Sequence, residues 1–170
     1  MSGNVERNPQ FDALFEEHYH AVYCTIYKVV GNKEEAEDLA QEAFIRLYRH
    51  FEKVDLPRVH QWLHRVSINL GLNAIRGRKR WRQWQQKATL ESQIHVESKP
   101  PKVLSNTLVR KTLASLSERQ AQMLMLYAAG FSYEELADAV DVKKSSVSQL
   151  LMRARRAFEE TYKELEGDTT

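Results

Sequence analysis

Ser132-Tyr133-Glu134-Glu135-Leu136-Ala137-Asp138-Ala139-Val140-Asp141-Val142-Lys143-Lys144-Ser145-Ser146-Val147-Ser148-Gln149-Leu150-Leu151-Met152-Arg153-Ala154-Arg155-Arg156 is the stretch on which the reading of this chain turns. Ser132 with Glu135 three residues on is a capping-box pattern that opens a short helix. Ala137, Val140, Val142, Val147, Leu150 and Leu151 then follow with the apolar spacing of a helix-turn-helix. In that motif a small residue sits where the two helices cross, and apolar anchors fill the turn and the second helix. The second helix presents Lys144, Ser145, Ser146, Ser148, Gln149, Met152, Arg153 and Arg156. Its serines and Gln149 suit base edges, and its basic end suits phosphates. No acid lies between Val142 and Phe158, as expected of a surface that meets DNA.

Immediately before this pair, Ser117-Glu118-Arg119-Gln120 is a second capping box, opening a helix with Ala121, Leu124 and Ala128 expected inward. Gly130 ends that helix as a left-handed cap. Leu104, Leu108, Val109, Leu113 and Leu116 mark one further helix ahead of Ser117. From residue 85 to 105 the apolar period vanishes, and Lys99-Pro100-Pro101-Lys102 is incompatible with a helix interior. The expectation is a flexible linker over 85–105, between a first domain at 8–84 and a second at 106–166.

The first domain reads as three helices. Asn8-Pro9 is an N-cap followed by proline at the first helical position. Phe11, Leu14, Phe15, His18, Val22, Ile26, Val29 and Val30 form one apolar stripe. Gly31-Asn32 closes this helix and caps the next, with Glu35 as capping partner. There Ala36, Leu39, Ala40, Ala43, Phe44, Leu47, Tyr48 and Phe51 are expected inward, whereas Asp38, Gln41, Glu42, Ile45 and Arg49 share another face. That acidic face with one apolar residue suits a basic partner helix. A loop at 52–58, broken by Pro57, leads to the third helix, with Trp62, Leu63, Val66, Leu70 and Ile75 on its core side. Opposite them Arg65, Asn69, Asn73, Arg76 and Arg80 step by three or four residues. Amides and guanidinium groups make paired hydrogen bonds to base edges, so this stripe is a second candidate DNA surface. Trp81 and Trp84, interleaved with Arg80 and Arg82, suit either stacking on unpaired bases or closing the end of the three-helix core.

Bulk composition agrees. Across 170 residues the net charge is only +2, but its distribution is uneven. Glu34, Glu35, Glu37, Asp38 and Glu42 form an acidic block, and residues 76–87 contain no acid at all. Few glycines, few prolines and little alternation point to an all-α fold of two small helical domains, the second carrying the helix-turn-helix. Cys24 is the only cysteine, which excludes an internal disulfide and a cysteine-rich zinc site. No membrane span or signal peptide is readable, so a cytoplasmic protein is expected.

Several of these segments resemble bacterial RNA polymerase sigma factors of the sigma-70 family. Asp38-Leu39-Ala40-Gln41-Glu42-Ala43-Phe44, then Leu47-Tyr48, then Trp62-Leu63-His64-Arg65-Val66-Ser67-Ile68-Asn69-Leu70 look like the family's second conserved region. Leu116-Ser117-Glu118-Arg119-Gln120, Gly130-Phe131-Ser132-Tyr133-Glu134-Glu135-Leu136-Ala137 and Arg153-Ala154-Arg155-Arg156-Ala157 resemble the fourth. No third region fits between them, as in the compact extracytoplasmic-function (ECF) group. The resemblance runs from Phe11 to Tyr162.

It implies a promoter-specificity subunit without chemistry or cofactor of its own. Its expected partners are core RNA polymerase, through the clamp and flap regions, promoter DNA and an anti-sigma factor. Asp38, Gln41, Glu42, Ile45 and Arg49 would dock on the polymerase. Arg65, Asn69, Asn73, Arg76 and Arg80 would engage the −10 element, with the 53–60 loop lining the pocket for a flipped base. Lys144, Ser145, Ser146, Ser148, Gln149 and Arg153 would read the −35 element. The chain departs from the family where a glycine-threonine-valine-lysine-serine-like run usually opens the reading helix: here it is Ser145-Ser146-Val147-Ser148-Gln149. Phosphate gripping then falls to Lys143, Lys144 and Arg153. Where the family often has a turn glycine, this chain has Asp141, which tolerates the left-handed conformation better than most residues.

Two other readings fit less of the chain. A free-standing helix-turn-helix regulator leaves residues 38–48 and the Trp62 helix unexplained. A nuclease or metal-dependent hydrolase finds support only in His20 with Cys24 and His60 with His64, each pair one turn apart without a third ligand at readable spacing. No metal site is therefore expected.

Overall fold

Asn8 sets the start of the first helix: its side-chain oxygen accepts from the backbone N–H groups of Gln10 and Phe11 at 3.1 and 3.3 Å. In the computed structural model, which describes residues 8–88 and 104–168, helix α1 then runs Pro9–Val30. It stops at Gly31, whose φ of 72° is the left-handed conformation that a side chain disfavours. The Gly31 N–H donates to the Tyr27 carbonyl at 2.8 Å. Asn32 caps α2 (Lys33–Arg49), accepting from the Glu35 N–H at 2.8 Å. Two 3₁₀ turns, Phe51–Lys53 and Leu56–Arg58, occupy the expected loop, and Pro57 lies in the second of them. Helix α3 follows as one uninterrupted element, Val59–Ala88.

Beyond residues 89–103, α4 (Leu104–Ser115) leads to α5 (Glu118–Ala128), α6 (Tyr133–Val140) and α7 (Lys144–Gly167). Both expected capping boxes form, Ser117 with Gln120 and Ser132 with Glu135. All regular structure among the described residues is helical. The expected linker, including its Lys99-Pro100-Pro101-Lys102 run, lies mostly outside the described residues; α3 continues through Gln85 to Ala88 and α4 opens at Leu104.

The chain divides into two compact units, one ending at Leu70 and the other beginning at Gly71. In the first, α1 packs along α2. Ala36, Ala40 and Ala43 are fully buried, which lets the α1 backbone approach closely, and Val22, Ile26, Val29 and Val30 fill the seam. Phe44 is sandwiched by Phe11 and Phe15, with ring centroids at 6.4 and 4.7 Å in edge-to-face geometry, the arrangement the ring quadrupoles favour. Val59, Leu63, Ile68 and Leu70 bring α3 into the apolar set. Buried Ser67 satisfies its hydroxyl on the Leu63 carbonyl at 2.7 Å.

In the second unit α7 contacts α4, α5 and α6, and it buries Val147, Leu151 and Ala154. The expected helix-turn-helix is α6 and α7. Its turn is closed by Asp141, at φ 53° and ψ 63°, and by the Val142 N–H donating to the Ala137 carbonyl at 3.0 Å. This is the Schellman-type closure that a left-handed residue permits.

On three helices, inward assignments differ from the sequence reading. On α5, Met123 and Leu126 are buried with Ala121, whereas Leu124 is half-buried and Ala128 exposed. Residues 121–128 are apolar at nearly every position, so periodicity there cannot choose a face. On α3, Ile68 and Leu72 are buried but Trp62 and Val66 only partly so, because the apolar residues of this helix spread over more than one face. On α2, Tyr48 is 49% exposed, with the Phe11 ring packed edge-to-face against it at 5.3 Å.

Candidate partner and nucleic-acid interfaces

The α2 surface follows from the helical repeat. Residues 38, 42, 45 and 49 fall on one side of a helix, and Gln41 and Tyr48 flank them. Asp38, Gln41, Ile45 and Arg49 are exposed. Glu42 is half-buried and accepts from Arg46 Nε at 2.8 Å, an i,i+4 pair that holds both side chains against the helix. With Ile45 at 44% and Tyr48 at 49% exposure, the face is a mixed acidic and apolar patch. The sequence reading placed Ile45 there and missed Tyr48. The signal was available: Tyr48 follows Ile45 by three residues, and so continues the outward stripe as readily as the inward one.

Along α3 the expected polar stripe is divided between environments. Asn73 and Arg80 are exposed, whereas Arg65, Asn69 and Arg76 are half-buried. Arg76 Nη2 donates to the Ser117 carbonyl at 3.2 Å, and its Nη1 is buried with no acceptor among the described residues. Burial pushes the Arg76 pKa down, Glu118 pulls it back up, and Arg80 lowers it again. Lys79 Nζ donates to Ser115 Oγ at 2.9 Å. Of the two readings open for Trp81 and Trp84, closure of a core does not hold. They are 57% and 60% exposed and stack on one another at 5.1 Å, because each faces outward on the same side of α3, three residues apart.

On α7, the turn at Asp141 aims the first two helical turns into solvent. Lys144, Ser145, Ser148, Gln149 and Arg153 are exposed and Ser146 is half-buried. Asp141, Val142, Lys143, Ser146, Gln149, Leu150 and Arg153 line one open concavity of about 630 Å³. Ser145 and Ser148 lie outside it, on the adjoining side. Lys143 occupies the N-cap and makes no side-chain capping bond, so no side chain covers the first-turn N–H groups from that position. Those donors and the lysines form a surface complementary to phosphate. Lys144 Nζ contacts Glu134 at 3.1 Å, but both side chains are mostly solvated and such a pair yields readily to a stronger acceptor. Farther along, Arg155 lies over the Tyr127 ring at 4.8 Å, and Arg156 Nε donates to Glu160 at 2.8 Å.

The histidine and cysteine pairs have local partners. Cys24 Sγ lies 3.5 Å from His20 Nε2, and His64 Nδ1 lies 3.4 Å from Thr25 Oγ1. Burial lowers the His64 pKa, with His60, His18 and Lys28 adding to the effect. Among the described residues no three His, Cys, Asp or Glu side chains gather in a metal-binding group. No helix among them is long and apolar enough to cross a membrane.

Comparison with known proteins shows the family of the chain. The chain matches the family model for sigma-70 region 2 over residues 14–81 and that for sigma-70 region 4 over residues 107–158. It is 30% identical over 159 residues to the ECF RNA polymerase sigma factor SigL of Mycobacterium tuberculosis, covering 90% of this chain and 89% of that one. It is 29% identical over 160 residues to the ECF RNA polymerase sigma factor SigE of Mycolicibacterium smegmatis, covering 91% of this chain but 62% of that longer protein. The fold is similar to that of the sigma factor RpoE of Bartonella quintana, solved in complex with the anti-sigma factor NepR. There the TM-score is 0.59 and the identity 21%, over 92% of this chain and 98% of that one. With both sigma-70 regions matched in order and a near full-length relative at this identity, the chain belongs to the sigma-70 family of RNA polymerase sigma factors, in its extracytoplasmic-function group.

Proposed function

We propose that this chain binds core RNA polymerase through the α2 face and directs initiation by engaging promoter DNA at two places. Asp38, Gln41, Glu42, Ile45 and Arg49, with Tyr48 at their edge, dock on the polymerase clamp. An acidic face carrying two exposed apolar side chains suits a basic, amphipathic helix of the partner. The stripe Arg65, Asn69, Asn73, Arg76 and Arg80 engages the −10 element, and Trp81 and Trp84 extend that surface with an exposed π face. Lys144, Ser145, Ser146, Ser148, Gln149 and Arg153 read the −35 element from the major groove. On this reading the chain divides into domains at 8–84 and 106–166, with the matched stretches 14–81 and 107–158 lying inside those bounds.

The observation that carries this reading is the α6–α7 pair. Its turn is closed at Asp141, its anchors Val140 and Val147 are buried, and its second helix turns Ser145, Ser148 and Gln149 outward. A surface of short polar side chains backed by lysines suits base edges and phosphates. As a member of the sigma-70 family the protein acts, on this reading, by binding polymerase and DNA, in the cytoplasm where polymerase works. The RpoE–NepR complex makes an anti-sigma factor a reasonable further partner, covering these surfaces when transcription is off. A gel shift tests the assignment. The chain with core polymerase should retard promoter DNA far more tightly than the chain alone. Equal retardation without polymerase would instead favour a free-standing regulator.

A further inference from the structure

Met152 is 66% exposed, the most exposed large apolar side chain among the described residues. A single apolar group on a surface is ordinary in itself. Its position on α7 is what needs an explanation. Ser145, Ser148, Gln149 and Met152 are spaced i, i+3, i+4 and i+7, so they share one face of the helix. Homeodomain reading helices place four base-contacting side chains at that same spacing. Met152 lies seven residues beyond Ser145, about 10 Å along the axis, which is roughly three base-pair steps.

Its neighbours leave it uncovered. Arg155 is folded over the Tyr127 ring at 4.8 Å and Arg156 is turned toward Glu160 at 2.8 Å, so both guanidinium groups one turn ahead are engaged elsewhere. Met152 is also the only exposed large apolar residue of α7 among the described residues, and its companions on this face are polar or basic. Along α7 itself an apolar protein partner would find no second exposed apolar side chain among the described residues. A major groove does supply one isolated apolar group, the thymine C5-methyl, set among acceptors and phosphates.

We infer that Met152 contacts the methyl group of a thymine in the −35 element and so selects a base, in addition to Gln149 and its polar neighbours. The inference rests on the proposal that α7 reads this element. An unbranched thioether suits the task, since it adapts its shape to a methyl group without presenting a donor or acceptor to the wrong base.

The test uses the full chain assembled with core polymerase and a promoter selected from a random library. Each thymine of the −35 element, on either strand, is replaced singly by deoxyuridine, which removes only the methyl group. The wild-type holoenzyme should bind about fourfold more weakly at one such position, the effect of withdrawing one methyl from an apolar contact. Met152→Ala should bind the thymine and deoxyuridine versions of that position equally, and Met152→Leu should restore sensitivity. Three outcomes would overturn the inference: indifference of the wild type to every replacement, a Met152→Ala variant still sensitive at the same thymine, or a selected element without any A·T pair. Weakened assembly of Met152→Ala with core polymerase, without change at any thymine, would also overturn it by making the side chain a protein contact. A scrambled −35 element separates the two levels. If scrambling leaves binding unchanged, the reading role of α7 itself fails; if scrambling abolishes binding but deoxyuridine has no effect, only the role of Met152 fails.

Discussion

Gln149 and Asp141 show how much a single position carries. Gln149 is exposed at the rim of the α7 concavity, and its amide has the donor and acceptor pair that matches adenine in the major groove. Gln149→Ala should relax base choice at one −35 position by about 1–3 kcal/mol, read as a changed base-preference profile in a promoter library. An unaltered profile would remove that role. Asp141 is the sole non-glycine residue with positive φ among the described residues. A left-handed residue with a Cβ carries a strain of about 1–2 kcal/mol, which aspartate relieves in part. Asp141→Ala should therefore lower chain stability by about 1 kcal/mol, while Asp141→Gly should match or exceed the wild type in a denaturant melt. If alanine and glycine behaved alike, the turn would not be held in this conformation. The position was legible from sequence because a short polar side chain between two apolar helical runs is the best substitute for glycine where a turn needs the left-handed conformation.

At the scale of the helix, α2 and α3 present opposite cases. The inward side of α2 was legible from its alanines at 36, 40 and 43, all buried, and the face proposed for docking was legible as a surface because Asp38, Gln41, Ile45 and Arg49 are exposed. Changing Asp38 and Gln41 together, both exposed, should weaken association with core polymerase and leave the circular dichroism melt unmoved. Unchanged affinity in a pull-down would argue against this face. The α3 stripe was legible as a pattern but not as an environment. Nothing in a run of arginines tells which one finds a carbonyl inside the protein, as Arg76 does at Ser117, and which one stays in water, as Arg80 does. Arg76→Ala with Arg80→Ala should reduce the salt slope of promoter binding by roughly 0.9 for each phosphate that is no longer neutralised. A reduction matching one phosphate rather than two would mean that Arg76 keeps its bond to Ser117 in the complex, and no reduction would place both arginines away from DNA. Apolar-rich α5 was the least legible element, because a helix that is hydrophobic around most of its circumference offers no phase to read.

For the whole molecule, the all-helical class and the helix-turn-helix came from punctuation more than from hydrophobicity. Asn8, Asn32, Ser117 and Ser132 each open a helix, and Gly31 closes one. Each acts on backbone groups within four residues, so sequence order alone suffices to see them. What sequence order could not supply was the depth of side chains brought together from distant segments, such as Tyr48 against Phe11 or Arg155 against Tyr127. The central claim concerns three surfaces of one chain acting together, α2 on polymerase, α3 on −10 DNA and α7 on the −35 element. The most direct measurement is run-off transcription with purified core polymerase on a random promoter library. The account predicts transcripts only when the chain is added, from templates enriched in two sequence blocks separated by a fixed spacer, with the upstream block altered by Gln149→Ala. Transcription unchanged by addition of the chain, or templates enriched in no upstream block, would contradict it.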